Sequence, residues 1–154
     1  MTEISCSTQI NASPQQVFKI ISDIPRGAEI IAGIQHIEML HDNGTVGVGT
    51  QWKETRIIFG QAASEEMTII EFVPNSHYVI RGENHGCEYL STLKVCAAAQ
   101  GTLLSMDFKG RPLTLFAKVM DVLTGWLLKG NMTKMCQEDL ESVKSYIEQQ
   151  QDTR

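Results

Sequence analysis

The sequence predicts an α+β domain in which a curved antiparallel β-sheet wraps around a long C-terminal α-helix. Three observations lead there. A lone alternating segment is followed by two short helical pieces, and a run of alternating segments comes next, with connections too short for parallel crossovers. From Leu113 onward the apolar period changes from two to that of a helix and keeps it almost to the end. A curved sheet of this kind has one apolar concave face, and the last helix is the only element long enough to cover it.

The first segment, "EISCSTQI", sets Ile4, Cys6, Thr8 and Ile10 against polar neighbours and reads as a strand. In "NASPQQVFKIISDI", Ser13 is placed as an N-cap and Pro14 sits where a first turn tolerates it, while Val17, Phe18, Ile20 and Ile21 form one stripe. Pro25 ends that helix, and "RGAEIIAG" reads as a second short piece. Strands follow over approximately 34–41, 48–59, 62–72, 77–85, 87–97 and 102–109, separated by "HDNGTVGVG", "VPNSH", "NHG" and "AAQG". The closing helix is expected from near Pro112 to about Tyr146, with Gly125 and Gly130 weakening its middle and offering a bend. Residues 1–150 then make a single domain, with 151–154 as a disordered tail.

Composition narrows the function. The 154 residues are 42% hydrophobic and 20% charged, enough for one sizeable core. A net charge of -5, with no run of Lys and Arg, argues against a nucleic-acid partner. The N-terminus "MTEISCSTQINASP" has neither a basic nor an apolar leader region, and no stretch is long and apolar enough for a membrane span, so the expected location is cytoplasmic. Cys6, Cys87, Cys96 and Cys136 lack CxxC spacing, and His36, His41, His77 and His85 are dispersed. That pattern points to no metal and no cofactor, with the cysteines as small buried residues or inert thiols.

The stretch "VGTQWKETRIIFG" poses a sharper question. With its even-numbered residues turned inward, Trp52, Glu54 and Arg56 give a cavity an aromatic plate beside an acid and a base, the pair partly neutralised and still able to donate to a ligand carbonyl or carboxylate. With the register reversed, Gln51, Lys53 and Thr55 face inward and the pair is solvated. Further candidates are Arg81, on one face with His77, Val79, Glu83 and His85, and Tyr89, whose hydroxyl could meet a ligand while its ring packs. Leu104, Met106 and Phe108 form an apolar strand face. Opposite it the helix offers Phe116, Met120 and Leu123, with Leu127, Met132 and Met135 extending a surface able to re-pack around different shapes. There is no nucleophile elbow, HExxH or phosphate loop, and Glu54, Arg56 and Tyr89 are the only weak catalytic candidates.

"INASPQQVFKIISD", "GVGTQWKETR", "IIEFVPNSHYVIRGE", "GTLLSMDF" and a last helix ending "EDLESVKSYIE" occur in an order that resembles the START-like, helix-grip superfamily. Within it, the chain is most similar to small bacterial polyketide cyclase/dehydrase-type (SRPBCC-type) proteins, over nearly its whole length. The resemblance implies a small hydrophobic ligand held between sheet and helix. Because this superfold hosts many activities, three readings stay open: a binding module, a cyclase or dehydrase acting on a polyketide-like or aromatic substrate in the same cavity, and a groove that binds another polypeptide. A homodimer is a further possibility the sequence leaves open.

Overall fold

The computed structural model describes residues 2–41, 44–84 and 86–153, without the side chains of 116 and 120–128. Strand β1 (Thr2–Ile10) leads into helix α1 (Pro14–Ile21), a 3-10 turn (Ile24–Arg26) and the short helix α2 (Gly27–Ile30). Six strands follow: β2 (Ile34–His41), β3 (Gln51–Ile58), β4 (Gln61–Val73), β5 (His77–Asn84), β6 (Cys87–Ala98) and β7 (Gly101–Pro112). Helix α3 (Leu115–Asp152) closes the chain. The seven strands form one sheet in the order β1-β7-β6-β5-β4-β3-β2. Every neighbour is antiparallel. The expected helix-grip architecture is therefore present, as a meander from β2 to β7 with β1 returning beside β7.

Local chemistry explains the boundaries. Ser13 caps α1 through a reciprocal box: its Oγ accepts from the Gln16 N–H at 3.2 Å, and the Gln16 Oε1 accepts from the Ser13 N–H at 3.0 Å. Gly101, at φ 129°, turns β6 into β7 so close to the first strand that a Cβ there would lie 2.2 Å from the Ile10 carbonyl oxygen. Thr114 caps α3 by accepting from the Ala117 N–H at 3.1 Å. This helix starts slightly later than expected because β7 continues to Pro112, and it runs unbroken past Gly125 and Gly130 to Asp152.

The extension beyond Tyr146, which takes 151 and 152 out of the expected tail, has polar causes that apolar periodicity does not register. Gln137 donates to the Ser7 carbonyl, Lys144 to that of Gln9, and Gln151 to that of Asn11. Helix positions seven apart thus meet positions two apart along β1 and the residue that follows it.

The cysteine expectation needs correction. Cys6 on β1 and Cys136 on α3 form a disulfide across 130 residues of sequence, with Cα atoms 6.7 Å apart. Neither lies in a short motif, so their meeting follows from the fold alone. Cys87 and Cys96 are free. The core lies between the concave sheet face, α1 and the C-terminal half of α3, with Val17, Phe18, Tyr78, Leu93, Leu140 and Val143 all buried. Phe18 meets Phe72 and Tyr78 edge-on at centroid distances of 5.4 and 6.0 Å.

Candidate functional site

Strand β3 decides the register question. Trp52 is 1% exposed and Thr50 and Glu54 are buried, whereas Gln51 and Lys53 face solvent. The even-numbered face therefore looks into the protein. Strand pairing sets Trp52 beside Met39 and Met67, and Glu54 beside Ile37 and Glu65.

Arg56 is the centre of an ion triad that local spacing only half reveals. Its Nε donates to Glu54 Oε2 at 2.8 Å, while Nη1 and Nη2 donate to Asp139 Oδ1 and Oδ2 at 3.0 and 2.8 Å. The side chains of Arg56, Glu54 and Asp139 are 14%, 9% and 11% exposed. The fork-to-carboxylate geometry ties β3 to α3 across the fold. Gly33, after α2, leaves room for it: a Cβ there would lie 3.1 Å from Arg56 Nη1.

The electrostatics follow from two acids sharing one base. Burial disfavours the Arg56 charge, but the bonds and fields of Asp139 and Glu54 outweigh it and hold the guanidinium above its usual pKa. Burial pushes the Asp139 carboxyl above its ordinary range; Arg56 opposes this, and the neighbouring Glu54 charge adds to the rise. Burial, then the Glu54 charge, likewise raises the Tyr78 hydroxyl, which donates to the Ile21 carbonyl at 2.6 Å.

These groups border a cavity of about 140 Å³ between the sheet, α1, α2 and α3. Its wall is chiefly apolar, with Ile37, Met67, Ile80 and Leu93 from the sheet and Leu140 and Val143 from α3. Tyr89 stacks on Phe108 at 5.5 Å, and both line it beside Met106. The indole N–H of Trp52, also in the wall, is buried with no hydrogen-bond partner among the described residues.

Trp52, Glu54, Arg56, Tyr89, Met106 and Phe108 are thus brought together. Leu104 shares their face and is fully buried, but it packs in the core away from the cavity. Arg81 is not with them. It lies on the opposite face of β5, 50% exposed, with Nε 3.1 Å from Glu88. Tyr78, Ile80 and Gly82 take the inward positions. The expected donor role of Arg56 also changes, because Asp139 occupies its fork.

The side chains of Phe116, Met120 and Leu123, like Trp126 and His85, lie outside the described residues. Among the described residues, α3 contributes Asp139, Leu140 and Val143 to the cavity, and Met132 and Met135 do not line it. Sequence reading missed Asp139. Its signal was position: it stands three residues after Cys136 and four before Val143, on the edge of the buried stripe of α3. No cluster of metal-ligating side chains occurs among the described residues, and no described helix is long and apolar enough to cross a membrane.

A family model described as "Polyketide cyclase / dehydrase and lipid transport" matches residues 1–148. No curated protein matches the chain significantly. Among solved structures, a START superfamily protein from Mycobacterium smegmatis is similar with a TM-score of 0.69 and 16% identity, covering 96% of this chain and 97% of that one. The di-domain ARO/CYC StfQ from the steffimycin biosynthetic pathway is similar with a TM-score of 0.76 and 9% identity, covering 97% of this chain and 52% of that one. A hypothetical protein from Helicobacter pylori has a TM-score of 0.73 and 16% identity, with 94% of this chain and 87% of that chain covered. At these identities the likeness is one of fold.

Proposed function

Because the chain belongs to the polyketide cyclase/dehydrase and lipid transport family, we propose that it binds a small hydrophobic molecule in the cavity between the sheet and α3. The observation that carries this reading is the 140 Å³ apolar cavity itself, bordered by an aromatic plate and a buried ion triad. A void of this size suits a single ring or a short branched chain, since an apolar cavity of about 150 Å³ accepts benzene. Trp52 forms the plate. Glu54, through the carboxylate oxygen not bonded to Arg56, fixes the polar end, and Tyr89 and Phe108 form the far wall.

The cyclase or dehydrase reading uses the same cavity, with Glu54 as base and Arg56 or Tyr89 as donor to a developing oxyanion. Binding is placed ahead because the Arg56 fork is already committed to Asp139. A net charge of -5 supports the absence of a nucleic-acid partner. For location we keep the cytoplasmic reading, against which the Cys6–Cys136 disulfide counts, because disulfides persist in oxidising compartments. Exposed Ile57 and Phe59 support a homodimer.

Native mass spectrometry of the protein from its own source, followed by titration with toluene monitored by tryptophan fluorescence, tests the reading. A co-purifying small apolar mass and saturable toluene binding are expected. Absence of both would refute it.

A further inference from the structure

The polar part of the cavity wall is unbalanced in charge. Among the described lining residues there are four carboxylates, Asp23, Glu54, Glu65 and Asp139, and a single guanidinium, that of Arg56. Arg56 is shared between Glu54 and Asp139. Glu65 stands opposite Glu54 in the β3–β4 pair and accepts from an amide, the Nδ2 of Asn84, at 3.0 Å. Asp23 meets Arg26, but only at 3.9 Å and at a half-exposed site. A ligand head entering this wall meets an excess of acceptors and negative charge, in surroundings where water screens it poorly.

Among the described residues the wall has one fully buried, unsatisfied side-chain donor to set against that excess, the Trp52 indole N–H. A buried donor left unpaired is costly, and a ligand atom with a lone pair removes the cost.

Resting on the ligand-binding reading above, we infer that this cavity selects apolar molecules whose head is a hydrogen-bond donor, an alcohol, phenol or protonated amine, and excludes carboxylates. A donor head satisfies Glu54 or Glu65. A hydroxyl also offers Trp52 its acceptor. A carboxylate can accept from Trp52 and from the Tyr89 and Ser91 hydroxyls of the wall, but it brings a further negative charge to a wall whose only described cation is already bonded to two acids, and the four carboxylates repel it. This reverses the expectation, natural from "WKETR" alone, that Glu54 and Arg56 would receive a carboxylate.

The test compares toluene, benzyl alcohol, benzylamine and benzoate, similar in size, by fluorescence or calorimetric titration at pH 8. Benzoate is expected to bind at least about tenfold more weakly than either benzyl alcohol or benzylamine, as a charge-selective wall requires. Glu65→Gln, which keeps the amide contact and removes one charge, is expected to strengthen benzoate by a few-fold. If toluene binds but benzoate matches either donor ligand, or Glu65→Gln leaves benzoate unchanged, the charge selection is overturned while the cavity reading stands. If none of the four binds, the cavity reading fails and this inference fails with it.

Discussion

Arg56→Met removes the guanidinium and keeps most of the apolar stem, leaving Glu54 and Asp139 buried beside one another. Breaking a buried ion pair from one side typically costs about 3–5 kcal/mol. Here two carboxylates lose the same cation, which places the expected loss toward the upper end. For a domain of this size about 1 kcal/mol moves Tm by about 2–4 °C, so the variant should melt roughly 10–20 °C below the parent when followed by near-UV circular dichroism. The pH dependence has a definite sign. Burial already raises Asp139, and without Arg56 that influence is unopposed. A carboxyl raised in the folded state is ionised more easily in the unfolded chain, so its stability penalty is complete above the folded pKa and fades as pH falls toward about 4, the unfolded value. The deficit should be larger at pH 8 than at pH 5. Adding Glu54→Gln and Asp139→Asn should recover part of it, while Lys53→Met on the exposed face should stay within about 0.5 kcal/mol of the parent. An Arg56→Met protein melting within about 2 °C of the parent, or one whose deficit grows as pH falls, would refute the reasoning.

Three further outcomes can be checked by urea unfolding. Gly33→Ala places a Cβ 3.1 Å from Arg56 Nη1; because the guanidinium is pinned by acids on two sides it cannot yield freely, and a loss of about 1–2 kcal/mol is expected. Gly47→Ala, with nothing within 4 Å, is the neutral control. Tyr78→Phe leaves the buried Ile21 carbonyl without its 2.6 Å donor, so about 1–3 kcal/mol should be lost with little change in secondary structure. Cys6→Ser opens a loop of 130 residues and should cost up to about 4–5 kcal/mol by chain entropy; a variant as stable as the oxidised parent would count against the disulfide.

The strand and helix order was legible because alternation and helical spacing are local. The inward face of β3 was not, because Gln51 and Lys53 on one side and Glu54 and Arg56 on the other leave neither face cleanly apolar, and burial of Trp52 and Glu54 settles it only in the structure. Arg81 shows where local reading failed. The charged-pair logic of β3 was carried to β5, where Tyr78 and Ile80 were the better inward markers and the arginine's partner, Glu88, stands on the next strand. Asp139 and the Cys6–Cys136 pair were hidden for another reason: their partners lie 83 and 130 residues away, and no spacing rule spans such distances. The end of α3 was missed because side chains bonding to first-strand carbonyls, rather than an apolar stripe, hold its last turns.

Those bonds bear on how the protein avoids sticking to itself. An open sheet has two rims, and a rim with a straight row of free carbonyls and amides invites another strand to add. On the β1 rim, Gln137, Lys144 and Gln151 of α3 occupy the carbonyls of Ser7, Gln9 and Asn11, so the helix stands in for an eighth strand without offering a new rim of its own. The β2 rim is broken differently, by register shifts between Ile34 and His36 and between Met39 and His41, which bend the row out of line. Substituting leucine at the three helix positions would strip the first rim while keeping the helix, and concentration-dependent fibril or oligomer formation would then be expected from that side of the sheet.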